Sequence, residues 1–90
     1  MSFVVRFNPQ SLTAEQYDET IRRLSDRGFP PEGLEMHVCF GEDGSLLVSE
    51  IWSTREQFDA FGERLMPVLA AMGISPGEPT MFEVHNLVVP

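Results

Sequence analysis

The chain has one cysteine, Cys39, and only six Lys and Arg against 14 Asp and Glu. A lone thiol forms no intrachain disulfide and rules out a cysteine-rich metal site. The net charge of −8 repels phosphate backbones and anionic bilayers, so neither nucleic acid nor membrane is expected as a partner. No apolar run approaches the roughly 18 residues needed to span a bilayer. The opening "MSFVVRFNP" has no basic region, long apolar stretch or small-residue cleavage site, and a cytoplasmic location is expected. Ser-centred nucleophile motifs, phosphate-cradling Gly loops and dinucleotide fingerprints are missing. So is any compact ligand spacing such as HxxxH, and no metal is expected. Indole and phenol occur once each, as Trp52 and Tyr17.

What is present is a 90-residue chain with 42% hydrophobic residues, enough for one domain over residues 1–90. A chain this small buries only roughly 60 to 65% of its unfolded surface, so its core is thin and self-association would help it. "FVVRF" is strand-forming from Phe3 to Phe7, and "NPQS" closes it with turn chemistry. Thr13 and Gln16 have capping-box spacing, and Tyr17, Ile21 and Leu24 mark one face of a helix over Ala14–Arg27. Gly28, Pro30 and Pro31 end it. "LEMHVCFGEDGSLLVSEIW" is two strand-forming runs around Asp43-Gly44, the pair a two-residue type I′ hairpin requires. That loop sets His37 opposite Glu50. Met36, Val38, Phe40, Leu47 and Ile51 then share one face, and Glu35, His37, Cys39, Val48, Glu50 and Trp52 the other. Ser53 and Glu56 form a second capping-box pattern, and Phe58, Phe61, Leu65, Leu69 and Met72 recur at helical spacing over Thr54–Met72. Pro67 predicts a kink in that helix. Strand character returns from Thr80 to Val88.

The order strand, helix, strand, strand, helix, strand is the split βαβ pattern of ferredoxin-like α+β folds, a four-stranded antiparallel sheet with both helices on one face. The clean apolar set, Met36 to Ile51, is expected beneath the helices. The opposite face then carries Trp52, Val48, Cys39, Val4 and Leu87, too apolar for water. A homodimer pairing two such faces is expected.

His37 beside Glu50 has the arrangement of an oriented imidazole, suited to general acid or base work near neutral pH. The same pair also reads as cross-strand polar packing. His85 lies in "EVHNL" with Glu83 and Leu87 on its own face, and is either structural or catalytic. Arg6, the one basic residue within the strands, is suited either to neutralising Glu50 or to receiving an anionic ligand. Trp52 suits a cavity wall or a core, and Phe61 belongs to the core or to an apolar wall. Cys39 reads as a small core residue.

The stretch "VSEIWSTREQFDAF", reinforced by "LTAEQYDET", resembles the dimeric α+β barrel superfamily, and within it the antibiotic biosynthesis monooxygenase-like proteins. The resemblance covers the whole chain in element order. It implies a superfamily of cofactor-free oxygenases of aromatic substrates, polyketide cyclases, haem-degrading enzymes, lactone isomerases and proteins of no known activity. Haem-degrading relatives are implied to use a helix-borne His with a nearby Asn and Trp; Trp52 and Asn86 match the latter two, but both histidines here fall on strands. Cyclase-type relatives are implied to place His on strands beside the cavity, as His37 and His85 would be, with Tyr17 the one available phenol. The expected function is binding of a small apolar or aromatic molecule by a cofactor-free homodimer, with Trp52, Arg6, Asn86 and Phe61 around it. The alternative is a monooxygenase-like or cyclase-like enzyme in which His37 is the general base, Glu50 orients it, and His85 or Arg6 stabilises the oxyanion.

Overall fold

A computed structural model describes residues 1–90. Its elements are β1 (Phe3–Phe7), α1 (Ala14–Ser25), β2 (Leu34–Phe40), β3 (Leu47–Trp52), α2 (Arg55–Ala71) and β4 (Thr80–Glu83). The four strands form one antiparallel sheet in the order β2-β3-β1-β4, with both helices against one face, a ferredoxin-like α+β architecture.

The hairpin register is the one read from the sequence: His37 faces Glu50, Cys39 faces Val48 and Phe40 faces Leu47. The helices, however, cover the opposite side of the sheet from the one expected. Val5 and Trp52 are wholly buried, packed with Leu24 of α1 and with Phe61 and Val68 of α2. Met36, Val38 and Phe40 stay 40%, 40% and 37% exposed on the outer face. A period of two says which residues share a face but not which face receives the helices. The choice follows the largest ring: Trp52 meets Phe58 edge-on at 5.7 Å and Phe61 at 5.7 Å. Val4 pairs with Ile51 and so belongs to the outer face, while Leu87 lies beyond the last strand. A bulge between Leu34 and Met36 leaves Glu35 without a partner in the ladder. Its carboxylate instead accepts from the Ser2 and Ser53 hydroxyls, at 2.5 and 2.9 Å.

The capping box of α1 is complete, with Thr13 and Gln16 each accepting from the other's backbone N–H. The helix stops at Ser25, and Gly28 turns the chain at φ +83°. At α2 the cap is Thr54 rather than Ser53: the helix begins at Arg55, and Thr54 accepts from the Gln57 N–H at 3.1 Å while the Ser53 hydroxyl donates to Glu35. α2 runs unbroken through Pro67. That residue is exposed, so water can take the place of the missing amide. β4 ends at Glu83 rather than Val88: the Val84 N–H donates to the Ser2 carbonyl at 3.0 Å, and past that pair β1 offers no strand residue.

The hairpin turn also departs from expectation. The Ser45 N–H donates to the Glu42 carbonyl at 2.8 Å, but only Gly44 has positive φ, at +90°, so the turn is not type I′. Asp43 is left free to accept from the Ala14 N–H at 2.8 Å, an otherwise unpaired first-turn amide of α1. One turn therefore anchors both the hairpin and the first helix. Gly44→Val should cost about 1–2 kcal/mol by forcing a β-branched residue into the left-handed region, and Asp43→Ala about 1 kcal/mol by removing the amide's acceptor. Urea unfolding checks both; a Gly44→Val midpoint equal to wild type would contradict the turn geometry.

Candidate functional site

Between α1, α2 and the helix-covered face of the sheet lies a cavity of about 70 Å³. Its walls are mainly apolar, among them Ile21, Leu24, Phe29, Phe61 and Leu65. Four lining side chains carry hydrogen-bonding groups: Tyr17 and Thr20 of α1, His37 of β2 and Glu50 of β3. The Thr20 hydroxyl donates to the Gln16 carbonyl at 2.7 Å. The other three join Trp52 in a single chain.

Helical spacing turns Tyr17 with Ile21 and Leu24 towards the sheet, and the antiparallel register sets His37 beside Glu50. The Trp52 Nε1–H donates to Glu50 Oε1 at 3.0 Å, and His37 Nδ1 lies 2.6 Å from Glu50 Oε2. His37 Nε2 lies 2.6 Å from the Tyr17 hydroxyl. An ionised carboxylate only accepts, so Nδ1 carries the proton towards Glu50 and, in the neutral ring, Nε2 accepts from Tyr17. The side chains of Glu50 and His37 are 6% and 17% exposed. Burying a carboxylate there requires this full set of partners, and no buried side-chain nitrogen or oxygen in the chain lacks one. The Tyr17 ring stacks on the imidazole at 5.9 Å, and Phe29 meets it edge-on at 5.6 Å. Burial, followed by the negative charges of Cys39, Glu50 and Asp18, pushes the Tyr17 phenol up to about 12. Burial likewise raises the Cys39 thiol, which leaves it a poor nucleophile.

The residues singled out from the sequence are divided by the fold. His37, Glu50 and Phe61 converge on the cavity. Trp52 stands behind Glu50 in the core and forms none of the wall. Arg6 is exposed and pairs with Ser49, on the outer face. His85 and Asn86 are exposed beyond β4. Thus the cavity contains no Lys or Arg. From the sequence Tyr17 entered only as part of the apolar stripe of α1 and as the one available phenol; the structure sets its hydroxyl 2.6 Å from His37 Nε2. No group of three or more His, Cys, Asp and Glu is placed to hold a metal ion.

No protein-family model matches the chain, and no curated protein sequence matches it. Solved structures do match, among them ones described as antibiotic biosynthesis monooxygenases, as the resemblance in the sequence implied. SnoaB from Streptomyces nogalater, a cofactor-independent oxygenase, superposes with a TM-score of 0.66 at 18% identity over 97% of this chain and 94% of its own. Candidate antibiotic biosynthesis monooxygenases give 0.66 at 15% (Chloroflexus aurantiacus, 100% of both chains) and 0.64 at 12% (Deinococcus radiodurans, 100% of this chain and 98% of that one). At such identities the likeness is one of fold. No helix is long and apolar enough to cross a membrane.

Because Tyr17 is the only tyrosine, absorbance near 295 nm reads its ionisation without interference. The midpoint should lie near 12. A phenol whose folded pKa is raised adds stability that is whole below its unfolded value of about 10 and is lost as pH rises through about 12. Urea unfolding should therefore show wild type losing more stability than Tyr17→Phe between those limits; an ordinary phenol midpoint with parallel losses would contradict the placement of Tyr17.

Proposed function

We propose that the chain binds a small, uncharged apolar or aromatic molecule in this cavity and moves a proton to or from it without a cofactor. The observation that carries the reading is the chain of short hydrogen bonds from Tyr17 through His37 to Glu50, at the wall of an otherwise apolar cavity. An imidazole held between a carboxylate and a phenol can accept a proton at one nitrogen while the carboxylate stabilises the cation at the other. The Glu50 charge and the lack of a cation in the wall disfavour an anionic ligand. SnoaB, described as a cofactor-independent oxygenase, supports cofactor-free chemistry in a chain of this shape.

Size limits the guest. A dry apolar cavity of roughly 150 Å³ takes a benzene ring, and this one is about 70 Å³, so a ring enters only as lining side chains swing out. Tyr17, Ile21 and Phe29 are only half-buried and have room to do so.

The chain is also proposed to form a homodimer, through the outer face rather than the Trp52 face. Met36, Val38, Phe40 and Phe82, the last 63% exposed, form an apolar surface there with no third layer of the same chain to cover it. Sedimentation at low micromolar concentration should give twice the 10.1 kDa chain mass; a monomer would remove this part.

Titrating the ¹⁵N-labelled protein with phenol should shift the amide resonances of Tyr17, Phe29, His37 and Leu65, and benzoate should shift them far less. Silence with both would contradict the binding site. Equal binding of benzoate would contradict the charge selection.

A further inference from the structure

We infer that Tyr17, not His37, is the group that meets the substrate, with His37 and Glu50 acting behind it. This rests on the proposal that proton transfer takes place in the cavity. Both ring nitrogens of His37 are taken, Nδ1 by Glu50 and Nε2 by Tyr17, each at 2.6 Å. One ring face is stacked by Tyr17, Phe29 abuts the ring edge-on, and the side chain is only 17% exposed. No lone pair of the imidazole is open to a ligand while these contacts stand. Both oxygens of Glu50 are engaged as well, by Trp52 and by His37. Tyr17 differs: it lines the cavity, its hydroxyl lies 2.6 Å from His37 Nε2 and donates to it when the ring is neutral, and a hydroxyl oxygen retains acceptor capacity after donating. Of the three groups it alone combines a position at the wall with an unused lone pair on an oxygen already coupled to a base.

The step balances as a relay. A carbon–hydrogen bond next to a carbonyl of the substrate breaks, and its proton forms a new O–H bond on the Tyr17 oxygen. In the same movement the original Tyr17 proton passes to His37 Nε2, forming an N–H bond. The electron pair stays on the substrate as an enolate. His37 becomes an imidazolium whose Nδ1–H remains on the Glu50 carboxylate. No free phenolate accumulates, which suits a phenol that holds its proton up to about 12. Tyr17 is thus a catalytic residue in this scheme, and His37 and Glu50 are positioning residues that act through it.

The probe is 2-indanone, an uncharged aromatic ketone, whose exchange of α-hydrogen for deuterium in D₂O at neutral pH is followed by NMR. Wild type should accelerate the exchange. Tyr17→Phe should lose roughly a hundredfold of that acceleration, in the range of a general acid–base group, while binding phenol within a few-fold of wild type and keeping its amide spectrum. His37→Phe should lose a similar factor, and the double variant should lose no more than either single one, because groups that act as a unit are not additive. If Tyr17→Phe keeps or gains activity, the freed Nε2 of His37 is the base and the inference is overturned while the proposed function stands. A double variant showing the product of the two single losses overturns the relay. Wild type that binds phenol yet does not accelerate exchange overturns the proton-transfer reading, and this inference with it.

Discussion

A carboxylate under two helices constrains the rest of this fold. Glu50 sits on β3, one of the two central strands, 5% exposed, among Val5, Val48, Trp52 and aromatic rings from α2. An ionised group there is tolerated only with its oxygens occupied. The Trp52 indole, two residues along the same strand and on the same face, reaches one oxygen, and His37, across the ladder, reaches the other. Each of these partners has a requirement of its own. The indole must be buried with its N–H satisfied, and the imidazole must find an acceptor at one nitrogen and a donor at the other. The Tyr17 hydroxyl supplies that donor and so ties α1 to β2. The polar network thus fixes which way the first helix faces as well as what the cavity can do.

Around this network the packing is economical and one-sided. Phe3, Phe58, Phe61 and Trp52 fill the space beneath α2, and a second small cluster of Leu12, Leu46, Leu69 and Ile74 closes the far end. Asp43 and the Leu46 N–H, which donates to the Leu12 carbonyl at 3.1 Å, hold the β2–β3 turn to the entry of α1. The outer face of the sheet has no such cover in this chain. The two faces therefore differ in kind, one enclosing a hydrogen-bonded chain of side chains and the other presenting aliphatic and aromatic surface.

Much of this was legible in the sequence, and the failures have physical reasons. The element order, the Thr13 cap of α1 and the pairing of His37 with Glu50 follow from local patterns: hydrophobic periods, a capping box and an Asp-Gly turn. The choice of sheet face did not follow, because Met36, Val38 and Phe40 make the cleaner apolar set, and periodicity carries no information about where helices land. Packing of Trp52 against Phe58 and Phe61 decided it, a tertiary contact between β3 and the helix that follows it. Arg6, His85 and Asn86 were grouped with the site by residue type. The β1–β3 register set Arg6 beside Ser49, on the face opposite Glu50, and the early end of β4 removed the other two. Tyr17 was legible as the one phenol on the sheet-facing stripe of α1, but its bond to His37 depends on a distance between α1 and β2 that no local pattern encodes.

The site stands or falls on the His37 tautomer: in the neutral ring the proton sits on Nδ1, pointing at Glu50, and Nε2 accepts from Tyr17. A long-range ¹H–¹⁵N correlation spectrum of the ring nitrogens near neutral pH reads this directly. The expected result is a protonated-type Nδ1 and an unprotonated, hydrogen-bonded Nε2, with Glu50→Gln reversing the pattern because a carboxamide can turn its NH₂ towards Nδ1. A proton on Nε2 in the wild-type protein, or a ring indifferent to Glu50→Gln, would contradict it.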